Sequence, residues 1–307
     1  MHLLAEQHLA LIDNLELLAR QVVEGFLIGL HKSPFHGFSV EFSEHRLYNP
    51  GESTRYIDWR VYGRTDRLYV KKFEEETNLR CQLVIDASSS MYFPEQQGGR
   101  LRKIDFAIMA AAALLYLLRR QRDAFSLATF IDHLNYVSET RSGSVHYRQL
   151  LLHLSSLRKQ PMHRQRSAAA AALHELAEKI HRRSLVVVFT DFLENIAEAG
   201  FEALYAALQH LRHNKHEVIL FFVADYRHEV LLDYENRPFR FVDLETGEQV
   251  KVHPRQVQQS YRQQMQQLLQ ELRLRCAQYR VDLVEADIEK GFEQILLPFL
   301  IRRQKVA

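Results

Sequence analysis

The sequence is poor in cysteine and has no long apolar run. Only two cysteines occur among its 307 residues, Cys81 and Cys276, and neither belongs to a CxxC pair. This excludes a disulfide framework and a cysteine-built zinc site, and it favours a reducing compartment. The longest apolar run, Phe106 to Leu118, has 13 residues, too few to span a bilayer. Because the N-terminus also lacks the basic start of a signal peptide, we expect a cytoplasmic protein without a membrane span.

An excess of one charge sign is also missing. The chain carries 40 Lys and Arg against 38 Asp and Glu, a formal net charge of +2. A protein that binds nucleic acid by bulk electrostatics needs a strong basic excess, so we expect no nucleic acid partner. Hydrophobic residues at 47% and charged residues at 25% are typical of a folded globular chain.

Common enzyme motifs are absent as well. The sequence has no GxxxxGK phosphate loop, no GxGxxG turn and no GxSxG elbow. His174-Glu175 is followed by the next histidine only at His181, too far along for the HExxH zinc helix. We therefore do not expect an enzyme of these classes.

From about residue 67 onward, short apolar segments alternate with amphipathic ones. This alternation predicts an α/β fold, a doubly wound and mainly parallel sheet with helices on both faces. A helix over 3–30 and a small β-rich appendage, with a strand over 38–42, precede it, so we expect domains at 1–78 and 79–307. The predicted strands are Leu68–Phe73, Cys81–Ile85, 125–131, Leu185–Thr190, Val218–Val223 and Val281–Glu285. The predicted helices are 102–122, Val145–Leu157, Ala168–His181, Phe201–His213, Arg255–Tyr279 and Phe292–Arg303, with one or two hairpins in 226–253.

Chemistry-bearing residues follow two of the predicted strands. Asp86, Ser88 and Ser90 form a D-x-S-x-S pattern directly after the first core strand, and Asp191 follows the strand that ends at Thr190. In doubly wound sheets ligands bind beyond the carboxyl ends of the strands. Carboxylate and hydroxyl oxygens are hard ligands suited to Mg²⁺ and not to zinc. The alternative is structural, because Ser and Asp also cap helices and close turns.

The strand–DxSxSM–helix unit, together with Thr190-Asp191, resembles a von Willebrand factor A-type domain with its metal-ion-dependent adhesion site. The resemblance implies Mg²⁺ or Mn²⁺ held by Asp86, Ser88, Ser90 and Asp191, with an acidic side chain of a partner completing the coordination. The family's middle ligand is a threonine on a loop before a helix. The corresponding loop here, 141–146, has no threonine, and Ser142 or Ser144 is the substitute, with Ser144 the fifth candidate ligand.

Upstream motifs narrow the resemblance to one bacterial group. These are Tyr48-Asn49-Pro50-Gly51-Glu52, Arg55-Tyr56-Ile57-Asp58-Trp59-Arg60 and Lys72-Phe73-Glu74. Their order resembles bacterial von Willebrand A-like proteins associated with MoxR-type AAA+ ATPases, over residues of about 30 to 225. The resemblance implies a metal-dependent protein-binding module, an adaptor or substrate-presenting partner of such an ATPase. The segment Arg55–Arg60, with the single tryptophan, is either a core anchor or a recognition surface.

An enzymatic alternative stays open at this point. A Mg²⁺-dependent phosphohydrolase would also place an aspartate, here Asp86, after the first strand as the nucleophile. Such enzymes generally need a second acid two residues further on, and that position is Ser88. A serine cannot readily act as that general acid, so we favour a binding role over catalysis. A scaffolding role without a metal is a third possibility.

Overall fold

The computed structural model describes residues 14–31, 45–47, 62–64, 66, 68–71, 79–95, 100–158, 167–192 and 201–306. The chain divides into two compact units, one formed by residues 1–26 together with 79–307 and the other by residues 27–78. The domain boundary after residue 78 stays a prediction. The predicted strand over 38–42, the segment Arg55–Arg60 and the motif at 48–52 lie outside the described residues.

Helices and strands alternate along most of the first unit. The α-helices are α1 (Leu15–His31), α2 (Lys103–Arg120), α3 (Ser144–Leu157), α4 (Ala169–Lys179), α5 (Glu202–His213), α6 (Pro254–Gln278) and α7 (Glu293–Val306). The strands are β1 (His45–Leu47), β2 (Tyr69–Lys71), β3 (Arg80–Asp86), β4 (Ala124–Phe130), β5 (Leu134–Val137), β6 (Leu185–Thr190), β7 (Glu217–Ala224), β8 (Phe239–Val242), β9 (Gln249–Val252) and β10 (Asp282–Asp287). In the second unit, β1 and β2 form an antiparallel pair.

The central sheet has six strands in the order β10-β7-β6-β3-β4-β5. β3, β4, β6, β7 and β10 are parallel, and β5 is antiparallel to β4 at the edge. After β3 the chain adds β4 on one side, and after β4 and β5 it returns to add β6, β7 and β10 on the other. The strand order therefore reverses between β3 and β6, and such a switch point opens a crevice at the carboxyl ends of the two strands.

Buried strands and a buried helix form the core. All six residues of β6 are buried, because a parallel sheet is covered on both faces. Alternate strand residues such as Val84, Val188 and Leu220 share one hydrophobic cluster with α4, α5 and α6. On the other face lies α2, which is buried almost throughout. Its apolar run is thus a core helix, as the sequence predicted.

The α/β prediction is confirmed by this topology. The antiparallel edge strand β5 was not predicted, because its four residues follow β4 after a three-residue turn and have only one buried side chain. The polar excursion does contain a hairpin, β8–β9. Within the described residues, no helix has both the length and the apolar composition to cross a membrane.

Candidate metal centre at the carboxyl edge of the sheet

Asp86 and Asp191 lie on the two strands that flank the switch point. Asp86 is the last residue of β3, and Asp191 directly follows β6, which pairs with β3 in parallel register. Both side chains are buried, with relative exposures of 0% and 1%. The prediction that these two strand ends are neighbours agrees with this register. Parallel pairing between β3 and β6 is what brings the two carboxylates to one place.

Asp86 accepts hydrogen bonds from three directions. The Ser88 backbone N–H donates to Oδ1 at 2.9 Å, while the Thr190 and Ser167 hydroxyls donate to Oδ2 at 2.7 and 3.2 Å. Burial, together with the nearby Asp191, raises the pKa of Asp86 to about 7, although the bonds from Ser88 and Thr190 lower it. Among the described residues, no cationic side chain contributes to this shift of the pKa.

Ser88 and Ser90 link Asp86 to a second carboxylate, that of Glu245. Their hydroxyl oxygens are 3.1 Å apart, and both residues are buried. Ser90 also hydrogen-bonds the carboxylate of Glu245, which comes from the β8–β9 turn. We call the carboxylates of Asp86 and Glu245, with the hydroxyls of Ser88, Ser90, Ser167 and Thr190, the hydroxyl cluster. Glu245 was not predicted from the sequence.

The structure does not bring Ser144 to this cluster. Arg141, three residues before it, pairs with Phe125 near the start of β4, whereas Asp86 pairs with Phe130 at the end of β4. Five strand residues span about 16 Å, so the loop containing Ser142 and Ser144 lies toward the opposite edge of the sheet. Both serines are exposed.

Ser167 takes the place that the sequence analysis gave to Ser144. It lies just before α4, the helix that leads into β6, and its hydroxyl reaches Asp86. The sequence analysis expected a hydroxyl residue before a helix, and Ser167 precedes the helix after the one that it named. The signal for Ser167 was its position ahead of the alanine run that opens α4, the helix before the strand that Asp191 follows.

A second group at the same edge is paired differently. The Lys103 ammonium donates to Asp191 Oδ2 at 2.7 Å and also pairs with Glu229. Burial lowers the pKa of Lys103, but the two carboxylates raise it more, and the net shift is upward. Burial raises the pKa of Glu229, and Lys103 counteracts this. We call Lys103, Asp191 and Glu229 the lysine cluster.

The donor set of the hydroxyl cluster fits a hard divalent cation. It offers carboxylate and hydroxyl oxygens, and Glu245 Oε1 is buried without a hydrogen-bond partner. Among the described residues, no group of three or more His, Cys, Asp and Glu side chains is placed to hold a metal ion. Hydroxyl oxygens would therefore have to supply part of any coordination shell here. Asp191, the predicted fourth ligand, is paired with Lys103 and lies next to the hydroxyl cluster.

Sequence comparison finds relatives in mycobacteria. Uncharacterised proteins of Mycobacterium tuberculosis and Mycobacterium bovis are each 30% identical over 186 residues. This match covers 60% of the chain and 57% of each relative, so it spans little more than half of their length.

Comparison with solved structures gives matches at lower identity. An aerotolerance-related membrane protein of Bacteroides fragilis is 16% identical with a TM-score of 0.46, and the match covers 73% of this chain and 99% of that one. BatB of Bacteroides thetaiotaomicron is 12% identical with a TM-score of 0.41, covering 75% and 100%. A membrane-spanning protein of Vibrio fischeri is 14% identical with a TM-score of 0.23, covering 74% and 98%.

The predicted cytoplasmic location is corrected by these comparisons. The B. fragilis and V. fischeri proteins are both described as membrane proteins. We therefore withdraw the cytoplasmic assignment and assign no location.

The sequence profile described as "Protein of unknown function DUF58" matches residues 44–273, which is most of the chain. The protein is a member of the DUF58 family.

Proposed function

We propose that this protein binds a partner protein through a divalent metal ion, Mg²⁺ or Mn²⁺, held at the hydroxyl cluster. Asp86, Ser88 and Ser90 would hold the ion, with Ser167 beside them and Asp191 as an outer neighbour. The ion would supply a positive charge to which an acidic side chain of the partner binds. This chain's residues position the ion and exclude bulk water from it.

One observation carries the proposal: among the described residues, the buried carboxylate of Asp86 and the partly buried carboxylate of Glu245 are held by hydroxyl and backbone N–H donors alone. Within the part of the chain that the structure describes, no Lys, Arg or His forms an ion pair with Asp86 or Glu245. Burying a carboxylate without a cationic partner is costly. A bound cation would remove this cost and stabilise the fold.

Thermal unfolding with and without metal tests the binding step. We expect millimolar MgCl₂ to raise the melting temperature of the wild type by a few °C, since binding at 100 times Kd adds about 2.7 kcal/mol. Asp86→Ala should abolish the shift. Asp132→Ala, which removes an exposed carboxylate just beyond β4, is the matched control and should keep it. An unchanged wild type, or an equal shift in Asp86→Ala, would contradict the proposal.

A MoxR-type AAA+ ATPase is the partner class we propose, for which this protein would act as adaptor or substrate-presenting factor. The support is the resemblance carried by Tyr48–Glu52, Arg55–Arg60 and the DxSxSM unit. A pull-down with such an ATPase in MgCl₂ and in EDTA tests metal-dependent bridging. We expect retention only with metal and only with the wild type. Equal retention by Asp86→Ala would refute it.

We propose a binding role in preference to catalysis. A phosphohydrolase needs an acid two residues after its nucleophile. Here Ser88 occupies that position, and its side chain contacts Ser90. A panel of phosphate esters assayed in MgCl₂ tests this choice. We expect no turnover that depends on Asp86. Turnover that Asp86→Asn abolishes would favour the phosphohydrolase instead.

A further inference from the structure

The β8–β9 hairpin carries one side chain into the hydroxyl cluster. Its turn is held by Asp243, whose carboxylate accepts the Glu245 backbone N–H at 2.8 Å and the Thr246 hydroxyl at 2.7 Å. Gly247 completes the turn at φ +78°, a left-handed conformation that favours glycine. The turn is thus ordered by its own hydrogen bonds, and these leave the Glu245 side chain free to point away from them.

Glu245 enters a site made of other elements. Its carboxylate accepts the hydroxyl of Ser90, and Oε2 lies 3.4 Å from the Ser167 backbone N–H. The other oxygen, Oε1, is buried and has no hydrogen-bond partner. A buried carboxylate oxygen without a partner is an expensive arrangement that a bound cation would relieve. The two serines it contacts flank Asp86 in space.

We propose that Glu245 is the chain's own carboxylate ligand of the metal, in the coordination position that an acidic side chain of the partner takes. This rests on the proposed function, because it needs a metal at the hydroxyl cluster. In the free protein, Glu245 would then fill the coordination position, and a partner carboxylate would have to displace it. Part of the hairpin is already exposed, with Val242 at 42% and Val250 at 58%.

Mn²⁺ binding to the full chain tests this assignment without any partner. We would measure the Mn²⁺ dissociation constant by electron paramagnetic resonance for the wild type, Glu245→Gln and Glu248→Gln. Glu248 is an exposed glutamate of the same turn and serves as the matched control. We expect Glu245→Gln to weaken Mn²⁺ binding about tenfold or more and Glu248→Gln to leave it unchanged. Unfolding curves in EDTA verify that each variant is folded.

Acetate serves as the probe for the vacated position. In Glu245→Ala, tens of millimolar acetate should restore much of the Mn²⁺ affinity relative to chloride at equal ionic strength, whereas the wild type should not respond. Equal Mn²⁺ affinity in the wild type and Glu245→Gln, with binding still lost in Asp86→Ala, would overturn this assignment alone. If the wild type shows no binding that depends on Asp86, the proposed function itself fails.

Discussion

The lysine cluster and the hydroxyl cluster lie side by side at the same edge of the sheet, yet their carboxylates are neutralised differently. Asp191 and Glu229 share the buried ammonium of Lys103. Among the described residues, Asp86 and Glu245 have only hydroxyl and backbone N–H donors. In the first cluster Lys103 supplies the cation, and in the second no residue that the structure describes does so.

This difference indicates where an external cation belongs. A hydroxyl donor shares a proton with a carboxylate but does not cancel its charge, so burial still raises the pKa of Asp86 to about 7. Lys103 cancels charge directly, and its own pKa is raised by the carboxylates it contacts. We therefore expect the lysine cluster to stabilise the fold and the hydroxyl cluster to bind a metal ion.

Removing the lysine should have the largest effect. Lys103→Met leaves Asp191 and Glu229 buried without a cation, and breaking a buried pair in this way costs about 3–5 kcal/mol. Urea unfolding in EDTA measures it. The control is Lys179→Met, which breaks the exposed pair with Glu175 and should change the free energy of unfolding very little. A small effect of Lys103→Met would remove the contrast between the clusters.

The metal-free hydroxyl cluster should make stability depend on pH. The folded-state pKa of Asp86 is raised to about 7, so the folded state holds this proton more tightly than the unfolded state. The stability it contributes is present at low pH and is lost as the pH rises toward and through 7. In EDTA, we expect wild type to lose stability over this range relative to Asp86→Asn. Parallel profiles for the two proteins would contradict it.

A smaller effect separates the observed hydroxyl ligand from the predicted one. Ser167→Ala removes the hydroxyl that reaches Asp86 and should weaken Mn²⁺ binding about tenfold, as loss of a supporting group typically does. Ser144→Ala changes an exposed residue and should leave the affinity unchanged. The two variants exchange a hydroxyl for hydrogen, so they are directly comparable. The reverse outcome would restore Ser144 to the site.

Local patterns were enough to predict the fold and to place Asp86 and Asp191 at the ends of two strands. The apolar runs of β3 and β6 ended in polar residues, and the parallel pairing of β3 with β6 makes those ends neighbours. On α6, the buried residues Met265, Leu269, Leu272 and Cys276 recur at helical spacing. These features depend on periodicities of 3.6 and 2 residues, which a single sequence carries.

The remaining residues depend on contacts between distant segments. Ser144 was named instead of Ser167 because two helices precede β6, and the sequence alone did not say which of them begins beside Asp86. Glu245 lies in a polar hairpin turn that looks like many exposed turns, and only its position over Ser90 reveals it. Lys103 follows a polar stretch, and nothing local indicated that its ammonium would be buried between two carboxylates.

The most direct test of the account is a crystal of the full chain grown in MnCl₂, with diffraction collected for the anomalous signal of manganese. We expect an anomalous peak at the hydroxyl cluster, in contact with oxygens from Asp86, Ser88, Ser90 and Glu245, and none at the lysine cluster. An empty hydroxyl cluster at millimolar Mn²⁺, or a peak only elsewhere on the protein, would contradict the central claim.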